Sequence, residues 1–317
     1  MSVFRKFSVW AQTPGLLFAL VILTAMPAGA QILSNAARTT QATLSALNRI
    51  DSFNPADDFA NPSPADGDLG EQLLLTRNQR YRPFTINANY ATTWTSNAFY
   101  TPNHPASDVF MNASVGAVAL PHLGNNFFLE ASAKVQGYRY FRNPVLDFNS
   151  VEAGAGILKV FREFYDVGLY GRYQYSDLFS PRGAGELLHQ HSIITGVRKM
   201  FQFSRANALF LSAEASFNLG GSPNYAMASD YTFFAAHQVQ WTRYLQSSLF
   251  YQMQTLAFAE GGRADFRNSL GLSLNYQPLK WLTVYSTTWL GWNSSNQEQY
   301  NFFAANLGGG LGASINF

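Results

Sequence analysis

From Phe84 to Phe317 the chain alternates apolar with polar or small residues at a period of two, and it does so for ten or more residues at a stretch. Phe266, Leu270, Leu272, Leu274 and Tyr276 fall on one face of such a stretch, and Arg267, Ser269, Gly271, Ser273 and Asn275 on the other. Leu209, Leu211, Ala213, Ala215, Phe217 and Leu219 alternate with Phe210, Ser212, Glu214, Ser216 and Asn218 in the same way. A helix cannot keep such a pattern on two faces, whereas a strand must, because successive side chains point to opposite sides of the sheet. The region is therefore expected to be all-β.

Twelve segments carry the alternation, at 84–97, 107–120, 126–141, 149–162, 165–178, 187–202, 206–219, 230–245, 247–259, 264–277, 280–293 and 299–317. Strands of soluble sandwiches average about 5 to 6 residues, so these are too long for that class. They suit tilted strands of about 9 to 11 residues that cross a bilayer and protrude from it. The expected fold is an antiparallel up-and-down transmembrane β-barrel of about 12 strands. Connections alternate too. Pro121–Asn125, Arg162–Glu163, Gln202–Arg205, Gln246 and Gln277–Lys280 are tight, and the intervening ones, such as Asn97–Pro105 and Gly220–Ser229, are mostly longer and polar. An even strand count puts both barrel ends on the short-turn side, the periplasmic side in bacterial barrels.

The last segment carries a family resemblance. Phe303, Ala305, Leu307, Gly309, Leu311, Ala313 and Ile315 alternate up to Phe317, and this resembles the terminal strand of Gram-negative outer-membrane β-barrel proteins. That resemblance implies an outer-membrane location, surrounding lipid, and a role for Phe317 in the signal read by the barrel-insertion machinery. It covers residues 84–317 as an architecture and names no subfamily. Aromatic residues cluster at strand ends as two expected girdles: Phe84, Phe127, Phe161, Tyr165, Phe201, Tyr244, Tyr276, Trp281 and Phe317 at one level, Tyr100, Phe110, Tyr140, Phe179, Tyr231, Phe233, Trp292 and Tyr300 at the other. Amphipathic rings favour the headgroup layer.

If the apolar face meets lipid, the other face lines a lumen. It holds Glu130, Lys134, Glu152, Asp166, Arg172, Arg198, Glu214 and Arg267. Acids and bases balance, whereas a selective pore is built from rings of one sign; sharp ion selectivity is not expected. Counting back from the 178–187 connection sets Asp166 opposite Arg198, and an ion pair is expected there. These charges either neutralise one another as interior filling or guide a solute. Gly154, Gly156, Gly168, Gly271, Gly308, Gly310 and Gly312 face inward and leave room for a passage or a plug.

Catalytic alternatives are few. His189, His191 and Ser192 are the candidates for a lipid-face hydrolase, but adjacent strand residues point to opposite faces, so His191 and Ser192 form no dyad without a bulge. The chain contains no cysteine, which excludes disulfides and thiolate chemistry. No phosphate-binding loop between strand and helix is present, and neither an enzyme, a metal nor a cofactor is expected.

The first 83 residues differ in character. Arg5 and Lys6, the apolar run Leu16–Met26 and the small residues Pro27-Ala28-Gly29-Ala30 make residues 1–30 an expected cleaved secretory signal. The run of eleven residues is about half of what a membrane-spanning helix needs. Removing it takes away two bases and no acid, leaving 19 of each sign, and a near-neutral chain argues against nucleic acid as a partner. Ile32, Leu33, Ala36, Ala37, Thr40, Leu44, Leu47 and Ile50 recur at helical spacing, and Asp51–Gly70 is rich in Pro, Asp, Asn and Gly. Residues 31–83 are expected to form an amphipathic helix and linker on the periplasmic side, serving either as a partner-docking element over 32–50 or as a tail.

Two functions fit: a porin-like channel for small polar solutes with little charge selectivity, and a non-conducting barrel of an envelope-assembly or polysaccharide-export system.

Overall fold

The computed structural model describes residues 82–183, 185–204 and 206–317. The expected signal segment, and the helix and linker up to residue 81, lie outside the described residues. Twelve long strands and one short one follow in order: β1 (Phe84–Thr95), β2 (Asp108–Ala119), the three-residue β3 (His122–Gly124), β4 (Phe127–Tyr140), β5 (Phe148–Phe161), β6 (Val167–Phe179), β7 (Glu186–Gln202), β8 (Asn207–Ser222), β9 (Ala228–Gln240), β10 (Leu245–Phe258), β11 (Ala264–Leu279), β12 (Leu282–Ser295) and β13 (Phe302–Asn316).

Each long strand pairs antiparallel with its sequence neighbours. β2 pairs directly with β4, from Phe110↔Tyr140 to Ala119↔Ala131, so β3 is an excursion within a hairpin. β1 pairs with β13 from Thr85↔Asn316 to Thr95↔Asn306, and this closes the sheet into a twelve-strand barrel. Closure leaves no free edge, the condition for a sheet to sit in hydrocarbon. The seam is finished by reciprocal backbone hydrogen bonds between Phe84 and Phe317, whose rings stack at 5.9 Å.

The barrel is inside-out relative to a soluble protein. Along β11, Phe266, Leu270, Leu272, Leu274 and Tyr276 are exposed, while Asp265, Arg267, Ser269 and Ser273 are buried. The alternation expected from sequence thus has its apolar face outward on every strand. Connections at 120–126, 162–166, 203–206, 241–244 and 280–281 lie at the end that carries residue 84 and residue 317; the opposite end carries those at 96–107, 141–147, 180–185, 223–227, 259–263 and 296–301. The turn expected at Gln246 is instead at 241–244. No glycine or proline marks it; the Thr242 hydroxyl accepts from the Tyr244 and Leu245 amides and folds the chain back.

Candidate functional site

Inside the barrel, four charged side chains from β4, β6, β7 and β8 form one network. Arg172 donates from Nη1 to Glu130 Oε1 at 3.1 Å, and its Nη2 lies 3.7 Å from Glu214 Oε2. Arg198 Nη2 lies 3.9 Å from the second oxygen of Glu130. Tyr170 donates its hydroxyl to Glu214 at 2.6 Å, and both guanidinium groups lie over its ring.

These contacts skip strands, and glycine makes that possible. Glu130 on β4 and Arg172 on β6 both pair with Gly156 on β5. Tyr170 on β6 and Glu214 on β8 both pair with Gly196 on β7. A methyl on Gly156 would collide with the Arg172 Cβ, and one on Gly196 would lie 2.6 Å from the Tyr170 hydroxyl. Each glycine is a saddle over which a long side chain reaches the next strand but one.

The other sequence-derived positions divide. Lys134 and Glu152 face each other in register across β4 and β5. Arg267, on the far side of the barrel, donates to Asp265 at 3.1 Å; Asp265 also takes two bonds from Arg263, whose guanidinium is sandwiched by Phe258 and Tyr300. Asp166 is a correction: it sits exposed in the 162–166 connection with φ of 61°, outside β6, and Arg198 turns to Glu130 instead. The tight connection lifts Asp166 out of the strand alternation that placed it inward. Arg263, Asp265 and the carboxylate of Asp108, which accepts from the Arg142 and Asn143 amides, were missed because they lie at strand ends, where a period of two says little. Tyr170 was on the inward parity and could have been found.

The long-loop end is packed with apolar side chains. Tyr100, Phe110, Tyr138, Tyr140, Leu146, Phe148, Leu178, Leu188 and Met227 form one buried cluster against Phe302 and Trp289, so it draws on strands around most of the barrel. At its centre is the 96–107 connection folded inward. Asn97 pins it by donating to the Thr101 and Phe303 carbonyls at 2.8 and 3.1 Å, and Tyr100, at φ of 52°, packs edge-on to Phe302 at 4.8 Å. Burial pushes the Tyr100 phenol well above its usual pKa, with Tyr140 and Tyr138 reinforcing the rise and Arg267 opposing it. Tyr100, Phe110 and Tyr140 therefore belong to a stopper, not to the outer girdle where the strand-end pattern put them. Phe110 and Tyr140 carry the inward parity of their strands, which girdle positions do not.

The inward glycines do not leave the room expected of them at every level. Phe250 and Trp289 flank Gly271 from the strands on either side, Tyr285 lies opposite Gly310, and Phe210, Phe234 and Phe250 pack together in the lower lumen.

The structure keeps His191 and Ser192 on opposite faces of β7. Ser192 is buried on the inner face, whereas the His191 Nδ1 shares a 2.5 Å hydrogen bond with Tyr173 on the outer face. The register shift beside them places the extra residue, Leu219, in β8 and leaves β7 itself regular across His191 and Ser192, its own irregularity against β6 lying at Leu187. Among the described residues there is no cluster of three or more potential metal ligands.

This architecture, with its apolar outer wall and polar lumen, is that of an outer-membrane β-barrel. Among solved structures, an outer-membrane channel from Pseudomonas putida F1 superposes with a TM-score of 0.51 at 10% identity, over 74% of this chain and 96% of that one. The KdgM porin gives a TM-score of 0.42 at 10% identity over 72% and 99%, and outer membrane phospholipase A from Escherichia coli 0.43 at 16% over 72% and 89%. No family model and no curated protein matches the sequence.

Proposed function

We propose that the protein is a porin-like channel of the bacterial outer membrane for small polar solutes, with its short turns in the periplasm and its outer mouth held shut by the 96–107 connection. The observation that carries this reading is the residual exposure of the inner network: Glu130, Arg172 and Glu214 keep 15%, 26% and 27% of their side-chain surface open deep within the barrel. Space for water therefore lies beside them. Because each acid there is matched by a base, the passage has little charge selectivity. The test is planar-bilayer conductance of the refolded chain beside a variant lacking Thr101–Pro105: steady openings, more frequent in the deletion, with a reversal potential near zero in a salt gradient. Silence in both would end it.

The apolar mouth favours a second reading, a non-conducting barrel of an assembly or polysaccharide-export system that meets a periplasmic partner through residues 32–50. Loss of function on deleting residues 31–70, with insertion intact and both conductance traces silent, would support it. In either case Phe317 serves the insertion machinery as an assembly signal.

A further inference from the structure

The outer wall at the short-turn end carries a feature that the lumen does not use. Each of the five short connections presents an exposed large apolar side chain: Leu123, Phe164, Phe203, Trp241 and Trp281. Such residues around a full circle would be costly in water, and they exceed what the strands need to cross hydrocarbon. Bases stand among them on the same wall. Lys159 projects outward from β5 with its ammonium 4.1 Å from the Phe127 ring centre and 5.8 Å from that of Phe161. Lys199 projects outward from β7, 5.8 Å from Tyr165 and 5.5 Å from Phe201. Arg243 lies 4.4 Å over Tyr244 further round.

We infer that this collar binds anionic phospholipid headgroups, with Lys159 and Lys199 as the phosphate contacts and their flanking rings as the platform beneath the glycerol. Three observations lead there. Aromatic faces hold each ammonium near the short-turn end of its strand, where rings and long cationic side chains favour a headgroup layer. Lys159 gives one N–H to the Asn125 carbonyl at 2.6 Å, and an ammonium has three, so two remain for a further acceptor. Among the described residues at this end, Arg82, Arg162 and Lys280 add to the three bases already named, while the acids are Glu163 and Asp166, both on the 162–166 connection. A ring that runs through every short connection also fits a lipid annulus, which touches all sectors, better than a protein docked on one flank. The two lysines are separated by one strand, about 10 Å at the usual spacing, so each has space for its own phosphodiester. The inference holds whether or not the lumen conducts.

The test is lipid retention. The full chain is refolded into vesicles of phosphatidylcholine with phosphatidylglycerol, extracted gently, and its bound lipid identified by native mass spectrometry. Wild type is expected to retain phosphatidylglycerol above its bulk fraction, by a factor of about five per lysine engaged. Lys159→Gln with Lys199→Gln removes the enrichment, and Lys159→Arg with Lys199→Arg keeps it. Circular dichroism and heat-modified gel mobility identify folded variants. Wild-type retention in proportion to the bulk mixture, enrichment that survives the double Gln variant, or saturation of the collar by a second copy in cross-linking would each overturn the inference.

Discussion

The Tyr170 hydroxyl passes over Gly196 to reach Glu214 at 2.6 Å on the next strand but one. One glycine thereby joins three strands through side chains as well as backbone. The cost of filling the saddle follows directly: a methyl on Gly196 would meet the Tyr170 hydroxyl at 2.6 Å and the Ala213 carbonyl at 2.7 Å. Gly196→Ala is expected to destabilise the folded barrel by about 1–3 kcal/mol, as overpacking does. Gly171→Ala, on the outer face with no atom within 4 Å, is expected to stay within about 0.5 kcal/mol of wild type. Urea midpoints in vesicles measure both; equal shifts would show that Tyr170 does not depend on the gap.

Removing the central cation should make the lumen selective. Arg172 contacts both Glu130 and Glu214, so Arg172→Gln leaves Glu214 with the Tyr170 hydroxyl alone and moves the wall toward net negative. The reversal potential in a potassium chloride gradient is expected to shift toward cation preference, and Glu214→Gln to shift it toward anions. Shifts of the same sign for both variants would place the current path elsewhere.

The stopper should respond to alkali. A tyrosine in water loses its proton near pH 10, and the buried Tyr100 phenol holds its proton to higher pH. With the folded-in pKa raised, the withdrawn loop binds fewer protons than the seated one between those two values. The stopper is therefore fully favoured below about pH 10 and loses free energy as pH rises past it. Opening frequency is expected to climb between about pH 10 and 11. Tyr100→Phe is expected to flatten that climb, and an unchanged climb would assign it to another group.

The seam should weaken without its last ring. Phe84 and Phe317 stack with an interplanar angle of 22°, a contact worth about 0.5–1.5 kcal/mol beyond its buried area. Phe317→Ala is expected to lower the unfolding midpoint and to speed hydrogen exchange in β1 and β13 ahead of β6 and β7. Uniform acceleration in all four strands would deny the seam a separate stability.

Much of the barrel was legible because bilayer and lumen impose opposite demands on neighbouring residues. The alternation from Phe266 to Tyr276 fixes both the strand and the face that each side chain takes. Side-chain reach was not legible. Strand register pairs Arg172 with Gly156, and nothing in a pairwise count says that its guanidinium continues to Glu130. The inward 96–107 connection was hidden for a different reason: an aromatic at a strand end looks the same whether it stands on the outer wall, as Tyr231 does, or in the mouth, as Tyr140 does. Parity separates the two, since Tyr140 falls on the inner side of β4 and Tyr231 on the outer side of β9.

The closing strand β13 presents Gly308, Gly310 and Gly312 to the interior and Leu307, Leu311 and Ile315 to the outside. A slip of one residue against β1 would exchange the two sets, and shifted one place on, Leu307 and Leu311 would be driven into space already taken by Thr93 and Asn89. The glycine row works as a keyway. Polarity and volume reject the same misalignment, so the first and last strands of a long chain can meet late in folding and still find one way to join.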